Sequence, residues 1–371
     1  MKKRIIGIVL VLTMTLGIVA LAGCNTGEYS NLLFREGDEV HILLNTGETV
    51  ELKFAELFKD YALNNKKIEM VSSDKSVFTV RGNKISAVGT GIAFAEATVI
   101  DMNTLQTVII VNVYVVNPLK MTEVKTVQDL ANISKDTSGA YILKSDIDLK
   151  DFGDWIPIAN YSTEGNLIGD FRGIFINPDG YKIKNMIINS MANIPDSRSH
   201  DLGVGLFDSV SGAYIDGLIL ENIFIDTTEY IDRALSAGGI CGYSISSVIR
   251  NCTVSGSVVS QKATGGITGT FSRGLIIGCT FKGDVENTSP DSFGGSGGIA
   301  GNGMESFKII DCIVEAAIIG ELYAGGILGH YGGLPSNYYK VEEEYIESCS
   351  FMGELNAPNN GEICGLIGFL S

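Results

Sequence analysis

The fold is decided by Ala237-Gly238-Gly239-Ile240-Cys241-Gly242 and the run that follows it, Ile249-Arg250-Asn251-Cys252-Thr253-Val254-Ser255-Gly256-Ser257-Val258. This pairing of a Gly-Gly-Ile corner with an Ile-x-x-Cys segment returns three times, with its segments opening at Ile276, Ile309 and Ile346. Degenerate copies open earlier, at Ile183 and Ile215, and Gly365-Leu366-Ile367-Gly368 closes the series. The isoleucines that open the segments therefore stand 27 to 37 residues apart.

A repeat of this length predicts a solenoid or another repeated array. Within each unit the apolar residues alternate, as Val254 and Val258 do on either side of Gly256, and alternation is typical of strands rather than helices. Short strands separated by glycine corners, with one unit per turn, predict a right-handed parallel β-helix in which equivalent residues stack about 4.8 Å apart. The unequal spacing then places loops of different length between constant strands.

The composition favours a folded, acidic protein. Of the 371 residues, 45% are hydrophobic and 19% charged, which argues against disorder. The formal net charge is −16, and it becomes more negative without the first 23 residues, which hold Lys2, Lys3 and Arg4 and no acid. Such a charge disfavours nucleic acid as a partner and adsorption to anionic lipid by charge alone.

The first 23 residues have the charge pattern and length of a secretory signal peptide, because three basic residues precede an apolar run from Ile5 to Ala22. A transmembrane helix is the alternative interpretation. Leu21-Ala22-Gly23-Cys24 resembles the lipobox of bacterial lipoproteins. The resemblance implies cleavage before Cys24, lipidation of Cys24, attachment to a membrane through acyl chains and a place at the bacterial cell surface. Residues 24–36 are then predicted to be a polar tether.

Residues 37–117 show short alternating strands separated by turns, which is typical of a β-sandwich. Ser72-Ser73-Asp74-Lys75-Ser76-Val77 followed by Gly89-Thr90-Gly91 resembles the bacterial Ig-like domains of group 2. The resemblance implies a stalk or spacer without chemistry of its own.

Residues 121–371 are predicted to form the β-helix domain. Thr126 as N-cap and Asp129 three residues later predict a short helix that covers its first coil. The ordered string that follows resembles the GLUG-repeat proteins of bacterial surfaces: Trp155-Ile156-Pro157-Ile158, Phe171-Arg172-Gly173-Ile174-Phe175, Gly205-Leu206-Phe207 and the Gly-Gly-Ile units. The resemblance implies a β-helix on a cell surface and leaves the ligand open. Such repeats also accompany some IgA-cleaving metalloproteases, but the sequence has no His-Glu-x-x-His motif, so that activity does not carry over.

Four cysteines occupy one position of the repeat: Cys252, Cys279, Cys312 and Cys349. Stacked thiols could form disulfides or a metal ladder. Met186 and Leu218 fill the same position in earlier copies, which favours an apolar interior position holding buried thiols. We therefore predict no metal site and no cofactor.

A β-helix carbohydrate-active enzyme, either a polysaccharide lyase or a hydrolase, is the alternative function. Its clearest candidate acids are Asp146, Asp148, Asp154 and Asp170. Turn and cap chemistry is the favoured interpretation of these residues, and we assign no catalytic residue.

Binding is expected at loops carried by the rigid repeat. Longer inserts run from Asn189 to Gly203, Asp226 to Ala237, Glu286 to Gly294 and Gly332 to Tyr345. The last insert combines aromatic and acidic side chains, and its candidate ligand-binding residues are Tyr338, Tyr339, Glu342, Glu343, Glu344 and Tyr345. The sequence thus predicts a cell-surface lipoprotein with a structural or adhesive role, whose loops contact a glycan or a surface or matrix protein.

Overall fold

A computed structural model describes residues 33–36, 39–54, 67–100, 107–161, 167–189, 202–229, 235–288, 294–332, 345–358 and 361–366. The chain is mostly β-strand, as predicted, with one short α-helix in the described residues. It divides into two compact units at Thr122 and Glu123.

The N-terminal unit consists of two sheets around one core. Its strands are β1 (Leu33–Glu36), β2 (Glu39–Asn45), β3 (Thr49–Glu51), β4 (Lys67–Ser72), β5 (Phe78–Arg81), β6 (Lys84–Ala87), β7 (Gly91–Ile100) and β8 (Thr107–Val116). The five-stranded sheet has the order β1-β2-β8-β7-β4 and the three-stranded sheet the order β3-β6-β5. Among the pairings of its described strands, only β2–β8 is parallel. Alternate residues of β2, such as Val40 and Ile42, meet Phe78 and Ile85 in the core.

The predicted tether overlaps this unit. Leu33–Glu36, which the sequence assigns to the tether, form β1 and pair antiparallel with β2, with Leu33 opposite Ile42. The backbone groups on that edge of β2 thereby gain hydrogen-bonding partners, and the polar composition of the preceding residues gives no sign of this pairing.

The predicted helix is confirmed as α1 (Val127–Asn132), between two short 3-10 helices at Pro118–Lys120 and Ile133–Lys135. Thr126 caps it, because its hydroxyl accepts from the Asp129 amide while the Asp129 carboxylate accepts from the Thr126 amide. Leu130 of α1 and Ile133 of the following 3-10 helix are fully buried in the core of the repeat unit, so the two helices cover part of that core.

The strands of the second unit are short and numerous. They are β9 (Thr122–Val124), β10 (Ala140–Leu143), β11 (Ile147–Asp148), β12 (Asn160–Tyr161), β13 (Leu167–Gly169), β14 (Ile174–Ile176), β15 (Lys182–Lys184), β16 (Ile187–Ile188), β17 (Leu202–Val204), β18 (Phe207–Ser211), β19 (Tyr214–Asp216), β20 (Ile219–Asp226), β21 (Leu235–Gly238), β22 (Cys241–Ile245), β23 (Val248–Arg250), β24 (Thr253–Ser260), β25 (Thr264–Gly265), β26 (Thr268–Ile277), β27 (Thr280–Asn287), β28 (Gly295–Gly297), β29 (Ala300–Ile310), β30 (Ile313–Gly320), β31 (Tyr323–Gly325), β32 (Leu328–Tyr331), β33 (Tyr345–Glu347), β34 (Ser350–Asn356) and β35 (Glu362–Cys364).

Apart from the β12–β13 hairpin, these strands form three sheets. Sheet I has the order β17-β21-β25-β28-β31-β35. Sheet II has the order β18-β22-β26-β23-β19-β14-β10-β9, and β29 also pairs with β26, β32 and β33. Sheet III has the order β11-β15-β20-β24-β27-β30-β34, with β16 beside β20. The chain visits the sheets in turn, as from β21 through β22 and β23 to β24, and neighbouring strands within a sheet are parallel. This arrangement is compatible with a parallel β-helix.

Equivalent residues of successive repeats are paired in register. Ile215, Ile249, Ile276 and Ile309 are opposite one another in sheet II, and all four are fully buried. Val254, Phe281 and Val314 are likewise opposite one another in sheet III, and all three are fully buried. Each fully buried side chain of this size contributes about 2 kcal/mol, so the stacked apolar rows dominate the stability of the unit.

The Gly-Gly-Ile corners bring strands into direct backbone contact. A Cβ on Gly265 would lie 2.0 Å from the carbonyl oxygen of Thr268, and one on Gly242 would lie 2.1 Å from the Cα of Gly203. Sheets I and II therefore meet along backbones that leave no room for side chains, which explains why glycine recurs there.

The turn that leads into sheet III uses left-handed backbone. Asn251 has φ 52°, and Gly278 and Asp311 occupy the same position in the next repeats with φ 64° and 52°. Glycine, asparagine and aspartate tolerate this conformation best, which explains why these residue types alternate there.

Candidate functional site

The four predicted inserts lie at two different corners of the repeat unit. The first three connect sheet III to sheet I, because they follow β16, β20 and β27 and precede β17, β21 and β28. The fourth, from Gly332 to Tyr345, connects β32 to β33, both of which pair with β29 in sheet II. The insert predicted to bind a ligand is thus on a different edge from the other three.

Most of the predicted site residues lie outside the described residues. These are Cys24, Tyr338, Tyr339, Glu342, Glu343 and Glu344. Tyr345 is the first residue of β33, where its backbone is opposite Lys308. On the other side of the insert, the His330 ring stacks on the Tyr323 ring with centroids 5.0 Å apart, and burial lowers the pKa of His330.

The interior placement of the repeated cysteines is confirmed. Cys252, Cys279 and Cys312 are buried, and Cys349 in the last repeat is half-buried. Each thiol lies near the carbonyl oxygen two residues earlier, as Cys252 Sγ does at 3.1 Å from Arg250 O. Burial raises the pKa of the Cys279 thiol, and the Cys312 side chain raises that of Cys349. In the described part of the chain, no group of three or more His, Cys, Asp and Glu side chains is placed to hold a metal ion.

Among the four repeated cysteines, thiol-specific labelling of the native chain should modify Cys349 first and leave Cys252, Cys279 and Cys312 unmodified until the chain is denatured. The reason is that attack requires an accessible thiolate, and burial opposes both access and ionisation. Peptide mass spectrometry after timed labelling would locate the modified residues. Fast native labelling of Cys279 would contradict an interior position for this thiol.

The acids proposed for the enzymatic alternative make structural contacts, most of them with the following coil. Asp146 accepts hydrogen bonds from the Lys182 amide at 2.9 Å and from Lys184 Nζ at 2.8 Å, and these contacts lower its pKa. Asp148 accepts from Asn185 Nδ2 at 2.7 Å, which also lowers its pKa. Asp148 also accepts from the Lys150 amide at 3.1 Å, a contact of the turn type, whereas the contacts of Asp146 connect it to the following coil.

The other two candidate acids also have structural contacts. The Asp154 carboxylate accepts from the Asn189 amide at 3.1 Å. Asp170 Oδ2 lies 3.7 Å from Arg172 Nη2. Neither contact brings the residue to Asp146 or Asp148.

A buried polar cluster centred on Asp216 is absent from the sequence interpretation. The Tyr214 hydroxyl donates to Asp216 Oδ2 at 2.9 Å, and Asn251 Nδ2 donates to Oδ1 at 2.9 Å. Arg250 Nε lies 3.5 Å from Oδ1, and the Asp216 and Arg250 side chains are only 8% and 15% exposed. Burial raises the pKa of Asp216, while Arg250 acts in the opposite direction.

The Asp216 cluster joins two successive repeats rather than opening a reactive site. Both carboxylate oxygens already face donors, so Asp216 is held in place by its own chain. Asp216 and Arg250 are register partners at the ends of β19 and β23. The cluster therefore fixes the alignment of the two repeats, and the opposite charges at one repeat position are the sequence signal that could have revealed it.

Among the described residues, no helix has the length and apolar character needed to cross a membrane.

The comparisons with known proteins identify one motif. The family model described as "The GLUG motif" matches residues 234–259, the segment that contains the first clear Gly-Gly-Ile corner and β21 to β24. No curated protein matches the chain.

One similar solved structure is that of a Bacteroides ovatus protein described as a "putative immunoglobulin A1 protease". It shares 16% sequence identity and a TM-score of 0.44, over 68% of this chain and 84% of that chain. A likeness of this size supports no conclusion about function.

Proposed function

We propose that this chain is a lipid-anchored bacterial surface protein with a structural or adhesive binding role. In this proposal an Ig-like stalk carries a right-handed parallel β-helix, and the inserted loops contact a glycan or a protein. The observation that carries the proposal is the difference between core positions and insertions in the repeat unit. Core positions such as Ile215, Ile249 and Ile276 are kept in register, while the long insertions fall between strands.

In the described residues, a rigid stack of strands with variable loops suits a binding role better than a catalytic one. Loops on a rigid support can change sequence without disturbing the core beneath them. The candidate acids Asp146 and Asp148 are each occupied by contacts with the neighbouring coil. The Ig-like stalk is supported by the two sheets around one core and by the Ser-x-Asp-x-Ser-Val segment, where Asp74 accepts from the Ser76 amide and hydroxyl.

Replacing residues 335–344 with a short Gly-Ser linker should abolish binding to a cell or matrix partner without unfolding the chain. The insert lies between β32 and β33, and shortening a loop changes its closure entropy only slightly. Binding would be measured on glycan and matrix-protein arrays, and folding by circular dichroism. A control variant replaces residues 289–293 in the insert between β27 and β28, which holds none of the candidate ligand-binding residues, and should keep its binding.

Two results would contradict the binding role of this insert. Unchanged binding after its replacement would place the site elsewhere on the chain. Glycan cleavage by the natural chain that disappears with the insert would support the carbohydrate-active enzyme instead.

The proposed anchor is tested at Cys24. Cys24→Ala should prevent incorporation of labelled fatty acid and leave an uncleaved precursor, because the lipobox cysteine is the acylated residue in the lipoproteins that Leu21-Ala22-Gly23-Cys24 resembles. Cys252→Ala is the matched control, since its thiol is buried and should not be acylated. Normal labelling of the Cys24 variant would overturn the anchor.

A further inference from the structure

Strand β20 of sheet III contains a β-bulge that the following strands lack. Leu220 is opposite Val254 and Ile223 is opposite Gly256, so two residues of β20 face one residue of β24. The β24–β27 and β27–β30 pairings continue without such a shift. Asn222, one of the two bulged residues, has φ 58°, and this backbone is strained for a residue other than glycine. A bulge of this kind re-aims a side chain, and bulges are common beside functional sites.

A ladder of side-chain amides fixes the orientation of Asn222. Asn185 Nδ2 donates to Asp148 Oδ1 at 2.7 Å, and Asn222 Nδ2 donates to Asn185 Oδ1 at 2.7 Å. Asn222 is exposed, and among the described residues its Oδ1 accepts no hydrogen bond. The ladder thus ends in a carboxamide oxygen that is held in place and can accept a hydrogen bond from a ligand.

An exposed aromatic side chain is on the same face of β20 as this oxygen. Phe224 follows Asn222 on the outer face, because Ile223 between them is buried. Phe224 is 40% exposed, and its register partner Ile187 is 36% exposed. In the next strand Ser257 is opposite Phe224, so that strand places only a small side chain next to the ring. We call Ile187, Asn222, Phe224 and Ser257 the Phe224 surface.

The charged side chains next to the Phe224 surface are paired with one another. Lys182 Nζ lies 2.5 Å from Glu221 Oε2, and Lys184 Nζ lies 2.8 Å from Asp146 Oδ2. Both lysines of β15 are therefore neutralised by acids, in a chain whose formal net charge is −16. Such a local balance favours an uncharged ligand, because an ionic one would gain little from the field at this place.

The size of the apolar area indicates a small contact. Ile187 and Phe224 supply the apolar part of the surface. Two side chains cover far less than the ~800 Å² that each partner contributes to a standard protein interface. A ring next to a few fixed polar groups is instead typical of sites for small or narrow ligands.

We infer that the Phe224 surface binds a pyranose unit of an uncharged glycan. The apolar C–H face of the sugar ring packs on Phe224, and a sugar hydroxyl donates to Asn222 Oδ1. This inference rests on the binding role proposed above but uses a surface separate from the insert, so either can fail alone.

The experiment is affinity electrophoresis of the purified full chain in native gels that contain soluble β-glucan, mannan or xylan, with polygalacturonate as the charged counterpart. At least one of the uncharged polysaccharides should retard the chain, and polygalacturonate should not. Phe224→Ala should weaken the interaction about tenfold, because the sugar face is no longer covered by the ring. Phe224→Tyr keeps the ring and should change binding less than about twofold.

A second variant tests the carboxamide by itself. Asn222→Gly retains a residue suited to the left-handed backbone and removes the side-chain acceptor, so it should weaken binding about fivefold. Circular dichroism checks that each variant is folded. If Phe224→Ala does not fold, Asn222→Gly and Phe224→Tyr still decide the outcome.

Phe94→Ala is the matched control and should leave binding unchanged, since Phe94 is a similarly exposed phenylalanine, at 44%, on strand β7 of the N-terminal unit. Equal weakening by Phe94→Ala and Phe224→Ala would overturn the inference. Retardation by polygalacturonate alone, or by no polysaccharide, would overturn it as well. Retardation that is lost when residues 335–344 are replaced would place glycan binding at the insert instead. Binding of a matrix protein that depends on Phe224, without retardation by a glycan, would identify a protein as the ligand and would also overturn it.

Discussion

Gly283→Ala is expected to destabilise the repeat unit by about 4 kcal/mol, which combines backbone strain with overpacking. Gly283 lies in the middle of β27 with φ +144°, a conformation that side chains rarely adopt. A Cβ there would lie 1.8 Å from the carbonyl oxygen of Gly256 in the preceding repeat. Because the obstacle is backbone between two paired strands, neither side can move without breaking the ladder. Urea unfolding followed by circular dichroism would measure the loss.

Gly180→Ala provides the matched control for this prediction. Gly180 is in the same unit and has φ +74°, but a Cβ there would have no heavy atom within 4 Å. Its substitution should cost only the conformational strain of about 1 kcal/mol. Similar losses at Gly180 and Gly283 would contradict the close backbone stacking of successive repeats.

Asp216→Ala is expected to destabilise the repeat unit by about 3 kcal/mol, the cost of removing one partner from a buried ion pair. The substitution leaves the Arg250 guanidinium, which is 15% exposed, without its carboxylate. It also removes the acceptor for the Tyr214 hydroxyl and the Asn251 amide. Thermal and urea unfolding of the variant would give the difference in free energy.

Two further variants determine whether this loss of stability comes from the unpaired charge of Arg250. Adding Arg250→Met to Asp216→Ala should recover part of the stability, since the unpaired charge is then gone. Glu315→Ala removes a comparable pair between successive repeats, with Lys282 Nζ at 3.0 Å, but both side chains are more than 40% exposed. That exposed pair should contribute less than about 1 kcal/mol. An equal loss of unfolding free energy from Glu315→Ala and Asp216→Ala would contradict the claim that burial makes the Asp216–Arg250 pair more important to stability.

The repeat was predictable because its signal depends on nearby residues. Ile249 and Cys252 face the core and Asn251 forms the turn, as the spacing of the Ile-x-x-Cys segment indicates. The same local logic found α1, since Thr126 and Asp129 complete their capping box within four residues. The pattern recurs from repeat to repeat, so a chance match to a solenoid is improbable.

In the N-terminal unit the amino-acid sequence gives little sign of β7. This strand carries Ala93, Ala95 and Ala97 toward the core, and alanine has little intrinsic preference for strands. Its conformation is set by pairing with β4 and β8 on its two sides, which the local sequence does not contain.

Contacts between repeats were also omitted. Asp216 and Arg250 meet because β19 and β23 stack in register, so the pair is visible in the sequence only when the repeats are aligned with one another. The position of the inserts, by contrast, was open to inference. Three of the inserts come after an Ile-x-x-Cys segment or a degenerate copy of it, whereas Gly332 to Tyr345 comes before such a segment. This order along the chain is enough to assign the inserts to two different places in the repeat.

The central claim is that successive repeats stack in register, and a distance between spin labels tests it most directly. Phe224 and Glu354 are 130 positions apart in sequence but lie in one row of sheet III, four strand spacings apart through Ser257, Asp284 and Ala317. Both side chains are exposed, so each can carry a nitroxide on an introduced cysteine. The background would carry serine at Cys24, Cys349 and Cys364.

Pulsed electron paramagnetic resonance should then give a narrow distance distribution centred near the sum of four strand spacings, about 19 Å. Labels at Asp284 and Glu354, two spacings apart, should lie correspondingly closer and broaden the continuous-wave spectrum. A broad distribution for the first pair, or one centred at twice the expected distance, would contradict the stacking of the repeats.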